Sequence, residues 1–147
     1  EPFSNRYAGV YQCERHLYKN VSSNKLIFEE VNHDLQLTFR TAWRTGDCFG
    51  FIRTGWLQND GDGVCRIDLL DGLQNLLPFG ATVALQTTMS SLLHAYKRNE
   101  LDPATGLGIF ALSATLTDRA EPSESLQATV AWQVDPVNRF RQPSPGR

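Results

Sequence analysis

Apolar and polar positions alternate with a period of two along much of this chain, and short runs of Asn, Asp, Ser, Gly and Pro interrupt the alternation. That combination predicts short strands joined by tight turns. The clearest instance is LQLTFRTAW at 35–43, where Leu35, Leu37 and Phe39 alternate with Gln36, Thr38 and Arg40 and the pattern continues to Trp43. One face of such a strand is buried and the other meets water. Residues 7–18 and 25–31 read as two earlier strands, with turns at 20–24 and 32–34. The segment KLIFEEV at 25–31 is rich in β-branched and aromatic residues and too short for a helix.

The stretch 49–78 is expected to organise the fold. Two apolar segments, 49–58 and 64–70, flank Asn59-Asp60-Gly61-Asp62-Gly63, and Asp and Gly tolerate the positive φ angles of hairpin turns. A central hairpin is therefore predicted, with Leu70 in its core, so that Leu70→Ala costs roughly 2–5 kcal/mol. Phe49 and Phe51 fall on one face of the first segment and Ile52 and Trp56 on the other. A strand apolar on both faces is covered on both sides, which predicts two packed sheets. Further along, Leu85, Met89, Leu92, Leu93 and Tyr96 have helical spacing and predict one short helix over 86–95. Strands at 96–101, 107–117 and 124–134, joined by turns at 102–106 and 118–123, complete a three-stranded meander. The predicted fold is mainly β: an antiparallel β-sandwich with one short helix over residues 1–135. Pro136, Pro143 and Pro145 mark 136–147 as a Pro-rich linker or the start of a further segment.

Composition narrows the function classes. At 147 residues the chain fits one domain with a real core. Its 14 basic and 16 acidic residues are interspersed and leave a net charge of −2. There is no cationic stripe of the kind that nucleic acid or an anionic membrane attracts. No apolar run approaches the ~18 residues that cross a bilayer as a helix. Three cysteines, Cys13, Cys48 and Cys65, are too few and odd in number for a disulfide scaffold and favour a reducing, cytoplasmic setting. The first residue is Glu, which suggests that the chain is processed or belongs to something longer.

Candidate chemistry is sparse. Cys13 and His16 have metal-like spacing, but strand alternation places them on opposite faces, and no second pair stands at suitable spacing. No metal or cofactor is expected. Carboxylates gather at Glu29, Glu30 and Asp34, at Asp68 and Asp71, and at Asp118, Glu121 and Glu124 around Arg119. Glycoside cleavage uses such pairs at a defined separation. Each group also has an ordinary role in turns or surface ion pairs. Trp43, Trp56 and Trp132 could stack against a sugar ring, although strand aromatics are more commonly core. Gly106-Leu107-Gly108 lacks the third glycine of a phosphate loop and reads as hairpin geometry.

Several phrases carry a resemblance: LYKN at 17–20, IFEEVNHDLQLTF at 27–39, FGFIRT at 49–54, LLDGLQNLLP at 69–78, AYKRNEL at 95–101 and DRAEPSESLQAT at 118–129. Together they resemble the N-terminal β-supersandwich region, galactose-mutarotase-like in architecture, of large bacterial carbohydrate-active enzymes. In these a six-hairpin α/α barrel follows, as in the cellobiose-phosphorylase-like and related glycosidase families. The resemblance spans nearly the whole chain. It implies a non-catalytic accessory domain of a glycoside hydrolase or phosphorylase that supports the catalytic barrel of the same chain and shapes the rim of a glycan site. No barrel is encoded here, so the resemblance carries no catalytic residue onto this sequence. Two alternatives belong to other classes: a free-standing carbohydrate-binding module using Trp43, Trp56 and Trp132, and a closed barrel holding a small apolar ligand.

Overall fold

Three successive turns fold the first part of the chain into an antiparallel meander of β1 (Cys13–Lys19), β2 (Lys25–Asn32), β3 (Leu37–Thr45) and β4 (Phe51–Asn59). The computed structural model describes residues 2–6, 9–114 and 125–134. Within it the chain divides into two compact units, Glu1–Asp71 and Gly72–Arg147. The first holds the sheet β1-β2-β3-β4. The second holds two short helices, α1 (Val83–Thr88) and α2 (Ser90–Tyr96), and a second antiparallel sheet of β5 (Lys97–Asp102), β6 (Leu107–Leu112) and β7 (Ala128–Ala131). The protein is mainly β, as its alternation predicts.

In the first unit, register assigns every strand residue a face. Leu17 pairs with Phe28, Phe28 with Thr41 and Thr41 with Gly55. By alternation this face also carries Leu26, Leu37, Phe39, Trp43 and Leu57. It is the apolar face, and the N-terminal residues lie on it. The Phe3 ring meets Phe28 edge-on at 5.4 Å. The Phe3 N–H donates to Glu30 Oε2 at 2.7 Å, and Arg15 reaches the same carboxylate at 2.8 Å and the Ser4 carbonyl at 2.8 Å. The other face carries Tyr18, Glu29, Arg40, Trp56 and Gln58.

The structure corrects the central hairpin. The turn at 59–63 forms, closed by the Asn59 side chain donating to the Gly63 carbonyl at 2.7 Å, but residues 64–70 form no strand. Leu70 is 90% exposed, and Phe51 on the edge strand β4 is 76% exposed, so neither belongs to a core. In place of a ladder, the returning chain is fastened by one side chain. Asp71 accepts two hydrogen bonds from Arg53 of β4, Nη1 at 2.7 Å and Nη2 at 2.6 Å. This paired geometry is the strongest form of Arg–carboxylate contact. Gly55, two residues on, makes room for it: a Cβ there would lie 2.8 Å from Asp71 Oδ2.

The expected helix appears as two. Thr82 caps α1 by accepting the Leu85 N–H at 3.1 Å, and the helical path breaks at Met89, whose φ and ψ are −134° and 42°. Just before the break, Thr87 and Thr88 turn their hydroxyls onto the carbonyls of Val83 and Ala84 at 2.6 and 2.9 Å. Such back-bonding bends helices. Leu93 of α2 is fully buried and, with Leu112 of β6, forms the apolar core of the second unit among the described residues. The turn between β5 and β6 is built on Asp102, whose carboxylate accepts the Ala104 N–H at 3.1 Å and the Thr105 hydroxyl at 2.5 Å. These bonds hold its carboxyl below the usual range, the Thr105 hydroxyl contributing most. Gly106 completes the turn at φ 71°, a conformation glycine adopts without a Cβ penalty.

β6 and β7 are shorter than the expected 107–117 and 124–134, whose inner ends lie outside the described residues. So do the turn at 118–123 and the Pro-rich segment 136–147. Cys13, Cys48 and Cys65 are free thiols, Cys48 and Cys65 exposed.

Burial ranks the leucines for mutagenesis. Leu93→Ala is expected to lower stability by about 2–5 kcal/mol. Leu70→Ala should change it by less than about 0.5 kcal/mol. Denaturant midpoints of the two variants check the ranking, and a large loss for Leu70→Ala with none for Leu93→Ala would reverse it.

Candidate functional site

Strand register brings one residue from each strand of the first sheet into line. His16 pairs with Glu29, Glu29 with Arg40, and Arg40 with Trp56, so all four share the face opposite the apolar one. Their neighbours on that face are two residues away along each strand, among them Tyr18 on β1, Thr38 on β3 and Gln58 on β4. Tyr18, Glu29, Arg40, Gln58 and Thr38, with Asp60 of the following turn, form a continuous hydrogen-bonded belt, and His16 and Trp56 flank it. The Tyr18 hydroxyl donates to Glu29 Oε1 at 3.0 Å, and Arg40 Nε donates to Glu29 Oε2. Arg40 Nη1 donates to Gln58 Oε1 at 3.4 Å, and Gln58 Nε2 donates to Asp60 Oδ1 at 2.5 Å. Asp60 Oδ2 accepts the Thr38 hydroxyl at 2.5 Å, which closes the chain back onto β3.

Glu29 is the hub. The residue is 8% exposed, and both of its carboxylate oxygens are occupied. The Arg40 guanidinium holds its carboxyl below the usual range, against the opposing effect of burial, and the Tyr18 hydroxyl adds to the lowering. Conversely, donation to Glu29 pushes the Tyr18 phenol up. At one end of the belt Glu14 Oε1 lies 3.1 Å from His33 Nε2 and its Oε2 3.6 Å from His16 Nε2. At the other end stands Trp56, 46% exposed and directly opposite Arg40.

The three candidate tryptophans do not converge. Trp43, half-buried, lies on the apolar face of β3, while Trp56 lies on the belt face of β4. Trp132 belongs to the second unit, follows β7, is 45% exposed and borders an open hollow with Thr105 and Leu107. Within the first unit, Trp56 alone of the three stands on the belt face.

The carboxylate groups separate in the same way. Glu29 and Glu30 sit in the middle of β2 instead of at a turn, and their side chains point to opposite faces. Glu30 pairs with Arg15 at 2.8 Å and Glu29 with Arg40. Asp34 accepts the Gln12 N–H at 2.7 Å, and Asp71 is held by Arg53. Asp118, Glu121 and Glu124, with Arg119, lie outside the described residues. Cys13 and His16 occupy opposite faces of β1, as alternation predicts. A glycosidase acid needs a raised carboxyl pKa, and the arginine beside Glu29 works in the opposite direction.

The belt itself was not singled out from sequence. Its signal was present as the period-two positions of Glu29 and Arg40, but their pairing depends on the length of the turn between them. No protein-family model matches the chain, and no curated protein matches it.

Glu29 makes the fold acid-sensitive. Its carboxyl is lower in the folded than in the unfolded chain, so its contribution is present above the ordinary glutamate value of about 4.3 and is lost as pH falls through the folded value. Denaturant midpoints measured from pH 6 to pH 3, values chosen to span about that range, are expected to fall less steeply for Glu29→Gln than for the unsubstituted chain. Parallel curves would remove Glu29 from the account.

Proposed function

We propose that this chain is a non-catalytic, mainly β region of a carbohydrate-active enzyme, a glycoside hydrolase or phosphorylase, and that it supports a catalytic α/α barrel and the rim of its glycan site. The observation that carries the reading is the Arg53–Asp71 pair. It ties together FGFIRT at 49–54 and LLDGLQNLLP at 69–78, two phrases on which the resemblance to the supersandwich region rests. A third, IFEEVNHDLQLTF at 27–39, falls on the β2–β3 hairpin, whose register builds the belt. These three of the six phrases each include residues that join elements of the first unit.

A scaffold role also agrees with the state of the carboxylates. Glu29, Glu30 and Asp71 are each committed to an arginine. General acid–base work needs a carboxyl free to reach a substrate proton. None of these three is placed for that task. The belt and Trp56 favour sugar contact through one face, whereas the separation of Trp43 from Trp56 gives no support to a flat platform built from all three tryptophans. Both sheets have two edge strands among the described residues, and this gives no support to a closed ligand barrel.

The coding sequence on either side of Glu1 and Arg147 tests the proposal. The expected result is an open reading frame of several hundred further residues with repeated amphipathic helices, and purified 1–147 should release no sugar from oligosaccharides. A frame without such a helical domain, or turnover by the isolated chain, overturns it.

A further inference from the structure

We infer that the belt face of the first sheet is a saccharide-binding surface on which Trp56 is the stacking platform and Arg40 and Gln58 set the orientation of the sugar. This deepens the reading above and rests on it only for the wider context. The ligand class follows from the side chains themselves.

A pyranose presents an apolar C–H face and a rim of hydroxyls. The half-exposed indole of Trp56 suits the first, because aromatic faces are apolar and electron-rich. The second requires polar groups that stay in place when the sugar arrives. Arg40, opposite Trp56, is fixed from two sides, by Glu29 at Nε and by Gln58 at Nη1. Its remaining N–H groups keep the rigid fork geometry of a guanidinium. Gln58 is in turn held by Asp60, and Asp60 by Thr38. Groups ordered in advance lose little freedom on binding, which is where weak polar ligands otherwise lose affinity.

Charge separates a saccharide from other occupants. On this face Lys25, Arg40 and Arg44 are balanced by Glu14, Glu29 and Asp60, so it offers no excess positive charge for a polyanion. An apolar peptide face would leave the belt's charged groups without water, a costly desolvation. A neutral polyol keeps those groups hydrogen-bonded while covering the indole.

The test is a titration of the 147-residue chain with cellotetraose and with maltotetraose, followed by amide and indole N–H shifts. The expected result is saturable binding of at least one probe, with the largest shifts at the Trp56 indole and at Arg40 and Gln58. Trp56→Ala and, separately, Gln58→Leu should each weaken binding about tenfold or more with an unchanged melting temperature. Gln58→Leu decides the matter if Trp56→Ala does not fold. No binding of either probe, or binding with shifts confined to the apolar face and indifferent to both substitutions, overturns the inference. Either failure leaves the scaffold reading standing, because that reading is judged by the flanking coding sequence.

Discussion

Two consecutive glutamates pin the first sheet. Glu29 and Glu30 necessarily point to opposite faces of β2, and each meets an arginine on a different neighbouring strand, Arg40 on β3 and Arg15 on β1. A slip of one residue in either pairing would place that pairing's carboxylate and arginine on opposite faces and break the ion pair. Register is strongly specified wherever one face is apolar, and here it is specified by charge as well. Exposed ion pairs contribute little to stability on average. Their effect in this sheet is to exclude alternatives, and the belt, the apolar face and the docking of Phe3 all follow from the register they select.

The second fastening has a different character. Arg53 and Asp71 hold an irregular return segment against β4 where a ladder was expected. The sequence VCRIDLL at 64–70 has the apolar content of a strand, yet its first residue follows a turn whose Asn59 and Asp60 side chains are already engaged, Asn59 with the Gly63 carbonyl and Asp60 with Thr38 and Gln58. A tight hairpin needs its turn to return the chain in register with the outgoing strand. Here the turn instead serves the belt, and the returning chain contributes Asp71. Composition and alternation report propensity, and they are silent on which competing use of a turn wins.

Much of the fold was legible because its signals are local. The strands β2, β3, β5 and β6 fall within a few residues of their alternating segments, and the turns at 20–24 and 102–106 fall where Asn, Asp, Pro and Gly place them. The helix was legible in position but not in continuity, since two threonine hydroxyls compete for the carbonyls ahead of Met89. The candidate site was legible only in part. A turn confined to 32–34 would set Glu29 opposite Leu37. The actual loop includes Leu35 and Gln36, with Leu35 N–H bonded to Asn32 and Gln36 at φ 52°, and it sets Glu29 opposite Arg40. Non-glycine residues adopt that conformation infrequently, and nothing in a lone Gln announces it.

That same loop residue connects the turn to the far side of the sheet. The Gln36 carbonyl accepts the Asp60 N–H at 2.8 Å, so the loop that fixes the β2–β3 register also positions the residue that ends the belt. Asp60 then reaches Thr38 and Gln58, one residue on each of two adjacent strands. The polar face is consequently closed by backbone as well as by side chains. A face held in this way has lost its conformational freedom during folding, before any ligand arrives. This is the physical difference between a row of solvated surface residues and a surface prepared for recognition. It also explains why Trp56 stands next to polar groups whose geometry is already set.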